Sequence, residues 1–233
     1  MLYKIMSLLF ISEIGMNYNG KFENCEEMIK QSQLAGADIA KFQLGWKEEV
    51  NFFDYSRIKQ LYDWGDKYGI EIMFSILKPE SLELLKQFKI KRIKIASRSL
   101  VENFKLCEDI VSLGYETIIS LGMWKNKSVL PFDGGNIRYL WCNSKYPTND
   151  QDLIHLPKDF KKEKKIVGYS DHCVGVDAAL LAISRGAQIV EKHFTLDKTS
   201  DFIRDHALSA EPDELKNLIT LGRQIHNKLS LGV

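Results

Sequence analysis

Cysteine is scarce in this sequence and unpatterned. Cys25, Cys107, Cys142 and Cys173 are widely separated and form no CxxC pair, which argues against both a zinc knuckle and a disulfide framework. Surplus charge is missing too. The 32 lysines and arginines stand against 31 aspartates and glutamates, a formal net charge of +1. Nothing global therefore attracts nucleic acid or an anionic membrane, and any anionic ligand must be held by local charges. The one basic cluster, KDFKKEKK from Lys158 to Lys165, reads as a solvated loop or helix end. Long apolar runs are absent as well: the stretch IMSLLFIS, from Ile5, is followed at once by Glu13. That run is too short for a membrane span and carries no small-residue cleavage site. No GxGxxG follows the first predicted strand, so a dinucleotide site has little support. These absences predict a cytoplasmic protein with neither a nucleic-acid nor a membrane partner.

What is present is a repeating pattern. The 233 residues, 45% of them hydrophobic, suffice for a sizeable core and sit near the ~250 residues of one α/β barrel. Eight short β-branched runs recur: LLFISEIG from Leu8, DIAKFQL from Asp38, IEIMFSI from Ile70, RIKIAS from Arg92, TIISLG from Thr117, IRYLWCN from Ile137, KIVGYSD from Lys165 and IVEKHFT from Ile189. Segments with helical spacing or turn residues separate them, the signature of βα units on a parallel sheet. CEEMIKQSQLAGA places Met28, Ile29 and Leu34 near one helical face and ends at Gly36, a C-cap. SRIKQLYDWGDKYG does the same with Ile58, Leu61 and Trp64. VDAALLAISRGA and EPDELKNLITLGRQIHNKL supply the last two helices, the second opening on Pro212 in the first turn. Units five and six are weak: GMWKNKSVLPFDGGN, from Gly122, is too rich in Gly, Pro and Asn for a full helix, so outer helices there should be shortened or irregular. The expectation is one closed (β/α)8 TIM barrel, a single catalytic domain over residues 1–233.

In such a barrel, functional groups sit where strands end and loops begin. The strand ends here are polar: Glu13 and Asn17; Lys41 and Gln43; Ser75; Lys94 and Ser97; Ser120; Asn143, Ser144 and Tyr146; Ser170, Asp171 and His172; Lys192 and His193. A lone histidine in such a position is more often a hydrogen-bonded structural residue than a ligand, and a lone strand lysine usually points outward past a helix. Lys41, Lys94, His172 and His193 all falling at one end changes that balance. Two inward lysines imply an anion such as phosphate or carboxylate, and two neutral imidazoles from adjacent strands suit a divalent metal with positions left open.

The segments ISEIGMNYNG, GADIAKFQ, IKIAS, KYPT, GYSDHCVG, GAQIVEKHFTLD and DHALSAEPDEL stand in the order and near the spacing of the sialic acid synthase family, which the chain resembles from about Leu9 to Leu229. These enzymes condense phosphoenolpyruvate (PEP) with an N-acyl-hexosamine to give nine-carbon 2-keto acids. The resemblance implies a TIM barrel and a divalent metal, manganese or magnesium, on His172 and His193. It implies a PEP pocket at Lys41, Lys94, Ser97, Ser144 and Ser170, and acceptor contacts from Glu13, Asn17, Tyr146 and Asp205. Taken with the strand-end polar residues, the expected site has Glu13, Lys41, Lys94 and Asp205 as catalytic residues. Substrate would be held by Asn17, Gln43, Ser75, Ser97, Arg98, Ser144, Tyr146, Ser170 and Lys192.

The sequence departs from the family pattern in four motifs and in length. SGE after the fourth strand is SRS, bringing Arg98 and Ser99; STP at the third strand is SIL, with Ile76 in place of a hydroxyl; and STGM is SLGM, with Leu121. NHNG is NYNG, with Tyr18. Finally, full-length members carry a C-terminal antifreeze-like domain over the partner's site, whereas this sequence runs to Val233, just past the eighth helix. A separate lid subunit, a homodimer through barrel faces, or a smaller acceptor are the alternatives this raises. Arg98 is the candidate partner for an acidic group on the acceptor. The leading expectation is a PEP-dependent synthase of a nonulosonic-type sugar acid. A lyase or aldolase on the same scaffold, or a silent sugar- or partner-binding barrel, are the competing readings.

Overall fold

The computed structural model describes residues 8–126, 129–163 and 165–232. Residues 5–7 of the N-terminal apolar run, residues 127–128 of the loop expected in unit five and Lys164 of the basic cluster lie outside the described residues, as do the ends of the predicted domain.

All eight predicted runs form strands: β1 Leu9–Gly15, β2 Ile39–Leu44, β3 Glu71–Ile76, β4 Arg92–Ile95, β5 Glu116–Ser120, β6 Ile137–Cys142, β7 Ile166–Asp171 and β8 Ile189–His193. They pair in sequence order into a closed barrel, with β8 lying parallel on β1. Around it run α1 Asn24–Ala35, α2 Tyr55–Tyr68, α3 Pro79–Leu85, α4 Ser97–Glu102, α5 Phe104–Ser112, α6 Asp177–Ser184 and α7 Pro212–Leu231. Among the described residues no α-helix joins β5 to β6, and only two 3-10 turns, Asp150–His155 and Phe160–Lys162, lie between β6 and β7. The truncation expected of units five and six is therefore what the fold has.

Helix ends follow local chemistry. The chain leaves α1 through Gly36 at φ 94° and α2 through Gly69 at φ 72°, left-handed conformations that cost glycine little. Asp54 caps α2 by accepting from the Arg57 N–H, and α7 opens on Pro212 within a Glu211–Glu214 capping box. One expectation fails. Met28 and Ile29 are fully buried, but Leu34 is 57% exposed, because six residues at about 100° each carry it about 120° away from Met28 around the helix. Cys25, Ser32 and Ala35 complete the buried face instead.

Strand alternation sorts the side chains into two sets. Outward residues such as Phe10, Phe42, Phe74, Tyr139 and Val190 form the core between sheet and helices. Inward, Ile11, Ile39, Met73, Ile118, Leu140 and Ile189 make a separate apolar layer across the barrel, each contributing about 1.5–3 kcal/mol of burial. Toward the N-terminal ends of the strands, Arg92 bridges Glu71 at 3.0 Å and Glu116 at 3.4 Å. Toward the C-terminal ends, the inward positions become polar.

Candidate functional site

The inward parity that places Ile11, Ile39 and Ile189 in the apolar layer places Glu13, Lys41, Glu191 and His193 immediately above it. The strand register sets Glu13 beside both Lys41 and His193 and Ser75 beside Lys94. Lys41 Nζ lies 2.7 Å from Glu13 Oε2 and 3.3 Å from Glu191 Oε2. Lys94 Nζ lies 3.3 Å from Glu191 Oε1 and donates to Ser120 Oγ at 2.8 Å. Ser170 Oγ donates to Glu191 Oε1 at 2.8 Å, and Gln43 Nε2 to Glu13 Oε1 at 3.0 Å. Both lysines and both glutamates are at most 4% exposed. The inward lysines thus meet the anions their burial requires, and these are the chain's own carboxylates.

Burial and neighbours set the charges of this layer. Burial alone would raise Glu191, but Lys41 and Lys94 outweigh it and hold the carboxyl well below its usual range. Burial wins at Glu13, which is pushed up despite Lys41. Lys41 overcomes its own desolvation through Glu13 and Glu191 and is raised; Lys94 is lowered by burial, with Glu191 opposing. The layer therefore joins an ionised Glu191 to a Glu13 that takes up a proton more readily than an ordinary carboxyl.

The two histidines lie together, ring centroids 5.3 Å apart. His172 is held down to about 3 by burial, with His193 adding to the effect, and burial lowers His193 too, so both imidazoles are neutral near pH 7. His172 Nδ1 is 2.6 Å from the Asn143 carbonyl oxygen. A carbonyl can only accept, so the ring proton is on Nδ1 and Nε2 keeps its lone pair, which receives the Tyr146 hydroxyl at 2.9 Å. The buried Nδ1 of His193 has no hydrogen-bond partner, and Asp205 Oδ2 stands 3.8 Å away. Two neutral imidazoles, one oriented through its far nitrogen and one with an orphaned nitrogen, fit a divalent metal. No third His, Cys, Asp or Glu completes a metal-binding cluster among the described residues, so water or substrate would fill the remaining positions.

Above this layer opens a cavity of about 740 Å³. Gln43, Ser75, Ser97, Arg98, Ser144, Tyr146 and Asp205 all line it, seven residues singled out in the sequence from five different units. Ser144 Oγ and Ser97 Oγ are 3.5 Å apart, and the Met123 N–H donates to Ser97 Oγ at 2.5 Å. Gly122 makes this approach possible: a Cβ there would fall 2.3 Å from Ser144 Oγ and 3.2 Å from Ser97 Oγ.

Several expected positions are placed otherwise. Lys192 has the opposite parity to Glu191 and His193, and is buried on the outer side of the barrel wall, 3.0 Å from Asp171 Oδ2. Asp171 also accepts from the Tyr169 hydroxyl and the Cys173 N–H, so the Lys192 ion pair is structural and Lys192 does not face the cavity. Asn17 donates through Nδ2 to the Phe194 carbonyl and Ser209 Oγ, tying the β1 turn to the segment after β8; only its Oδ1 is left without a partner. Ile76 and Leu121 belong to the outer core, so neither side chain faces the cavity; of the SIL segment it is Leu77 that lines it. Arg98 is on helix α4 rather than a loop, with Nη1 2.9 Å from Glu102 Oε1.

Sequence reasoning overlooked Glu191, which unites both lysines, and the wall residues Trp46, Lys47, Phe202 and Arg204. Glu191 was legible in principle: it sits two residues before His193 and shares its parity. Arg204, whose guanidinium lies 4.6 Å over the Tyr146 ring, gives only its adjacency to Asp205 as a signal.

Comparison with known proteins follows the same lines. The NeuB family model matches residues 47–233. A protein of Methanocaldococcus jannaschii is 32% identical over 95% of this chain and 72% of its own length. The N,N'-diacetyllegionaminic acid synthase of Legionella pneumophila is 28% identical over 97% of this chain and 74% of its own. Among solved structures, the sialic acid synthetase of Leptospira borgpetersenii serovar Hardjo-bovis superposes with a TM-score of 0.82 at 28% identity, covering 96% of this chain and 85% of that one.

Proposed function

From the premise that the chain belongs to the NeuB family of sialic and related nonulosonic acid synthases and is an enzyme, we propose that it condenses PEP with the aldehyde of a sugar. The products would be a nonulosonic-type 2-keto-3-deoxy sugar acid and inorganic phosphate. The observation that carries this reading is the stacking, at one barrel end, of a buried two-lysine layer and two neutral imidazoles beneath a cavity of about 740 Å³.

In this reading C3 of PEP forms a bond to the aldehyde carbon, water adds at C2, and the tetrahedral carbon collapses with cleavage of the C2–O bond to release phosphate. A divalent ion, manganese or magnesium, would be held by His172 and His193 and would supply polarisation of the aldehyde oxygen. Ser97 and Ser144, with Ser75 at the cavity floor, present hydroxyls to the phosphate and carboxylate of PEP. Lys41 and Lys94 lie below them as the cations of the buried layer and draw the anionic groups of PEP toward it. Glu13, whose carboxyl is raised by burial, orders the water or the aldehyde and takes up the proton that water sheds on adding to C2. Tyr146 and Asp205 flank the histidines and orient the acceptor.

The test is an assay of inorganic phosphate and 2-keto acid with PEP, manganese and a panel of aldoses, N-acyl-hexosamines and their phosphates. Acceptor-dependent phosphate release, lost in His172→Ala and His193→Ala, supports the reading. Phosphate release independent of acceptor, or none with any acceptor, removes it.

A further inference from the structure

We propose that Arg98, with Lys47 beside it, is a specificity-determining residue that selects an acceptor carrying a phosphomonoester at the end remote from its aldehyde. The inference rests on the condensing-synthase reading and deepens it.

Trp46, Lys47, Leu77 and Arg98 line one part of the cavity. The same four residues bound a second cavity, of about 310 Å³, on their other side. The wall is thus a partition between two spaces, and both its charged members are cations. The Arg98 guanidinium lies 5.4 Å from the centroid of the Trp46 ring, which orients the fork. Its one ionic partner among the described residues is Glu102 on the same helix, through Nη1 alone, and the two side chains are 45% and 53% exposed. Exposed pairs of this kind are the weakest class of ion pair, so exchanging Glu102 for a ligand anion costs little. Lys47 has no carboxylate partner among the described residues and adopts φ 47°, a backbone conformation that the surroundings must impose.

Those surroundings are built. Asn51, 1% exposed, donates from Nδ2 to the Gln43 and Trp46 carbonyls at 2.9 Å each. The Tyr18 hydroxyl in turn donates to Asn51 Oδ1 at 2.5 Å. A buried latch from the β1 turn therefore fixes the loop that presents Trp46 and Lys47. A planar guanidinium with unused donors and a nearby point charge match a dianionic phosphate, which accepts from both at once. The His172–His193 pair and the lysine layer are at most 5% exposed, whereas the Arg98 side chain is 45% exposed, so the partition meets the outer end of an acceptor whose aldehyde lies at the buried end.

The experiment compares a neutral acceptor aldose with its 6-phosphate, in the wild type and in Arg98→Ala, Arg98→Lys and Lys47→Ala, following phosphate release and checking each variant's fold by circular dichroism. The wild type should prefer the phosphorylated acceptor. Arg98→Ala should raise the KM for that acceptor about tenfold or more, with the loss falling on the acceptor's KM rather than that of PEP, and Arg98→Lys should restore part of it. Equal use of both acceptors overturns the inference and leaves the synthase reading intact. So does an Arg98→Ala effect confined to the KM of PEP with either acceptor, which would assign Arg98 to the phosphate of PEP. Absence of acceptor-dependent phosphate release throughout removes the synthase reading and the inference together.

Discussion

Lys94 Nζ lies 3.3 Å from Glu191 Oε1, and the two side chains are 2% and 6% exposed. Glu191 also holds Lys41 at 3.3 Å and accepts from Ser170, so one carboxylate closes the charge balance of the barrel interior. Glu191→Ala would leave two buried ammonium groups to share Glu13. Loss of one partner from a buried pair costs about 3–5 kcal/mol, and urea unfolding of the variant should show a drop of that order. A loss below about 1 kcal/mol would contradict the charge balance described above.

Gly122 is the second test position. Its missing Cβ leaves room for Ser144 and Ser97 to approach, and overpacking of a close contact costs about 1–3 kcal/mol. Gly122→Ala should displace the Ser144 hydroxyl and raise the KM for PEP more than that of the acceptor. Unchanged kinetics would show that these serines do not hold PEP.

Stability should depend on pH through the histidines. His172 is neutral in the folded protein down to about 3, while its unfolded value is about 6.5; His193 and His206 are lowered too, each mainly by burial. Below about pH 6.5 the unfolded chain binds protons that the folded protein refuses, so stability falls as pH drops and is fully retained above that value. Urea midpoints of metal-free protein, kept so with a chelator, should decline between pH 7 and pH 5, above the range of ordinary carboxylates. His172→Gln should flatten part of that slope; a level midpoint in wild type would refute the assignment of buried neutral imidazoles.

Most of the fold was legible in the sequence because barrel strands are covered on both faces and read as nearly continuous apolar runs. The gap after β5 was legible from its Gly, Pro and Asn content. Lys192 was misread because a charged residue near a strand end announces its proximity to a site but not its parity, and one residue of phase separates the barrel interior from its outer wall; Leu34 was misread on helical phase, about 120° from Met28. Glu191 escaped notice beside two more conspicuous neighbours. Trp46 and Lys47 lie in a loop whose course depends on a hydrogen bond between Tyr18 and Asn51, 33 residues apart, and no local pattern encodes it.

That bond yields its own prediction. Tyr18→Phe leaves the buried Asn51 Oδ1 without its donor, at a cost of about 1–3 kcal/mol, and frees the loop bearing Lys47. Chemical denaturation should detect the loss, and acceptor affinity should fall with it. A variant as stable as wild type would show that the loop is held by other contacts.

The six-residue apolar layer of Ile11, Ile39, Met73, Ile118, Leu140 and Ile189 separates the Arg92 cluster from the lysine layer like the septum of a flask. None of those six side chains carries an N–H or O–H group, so the septum offers no side-chain relay for protons along the barrel axis. Proton exchange at Glu13 and Lys94 is therefore directed toward the cavity side of the barrel, away from the Arg92 cluster.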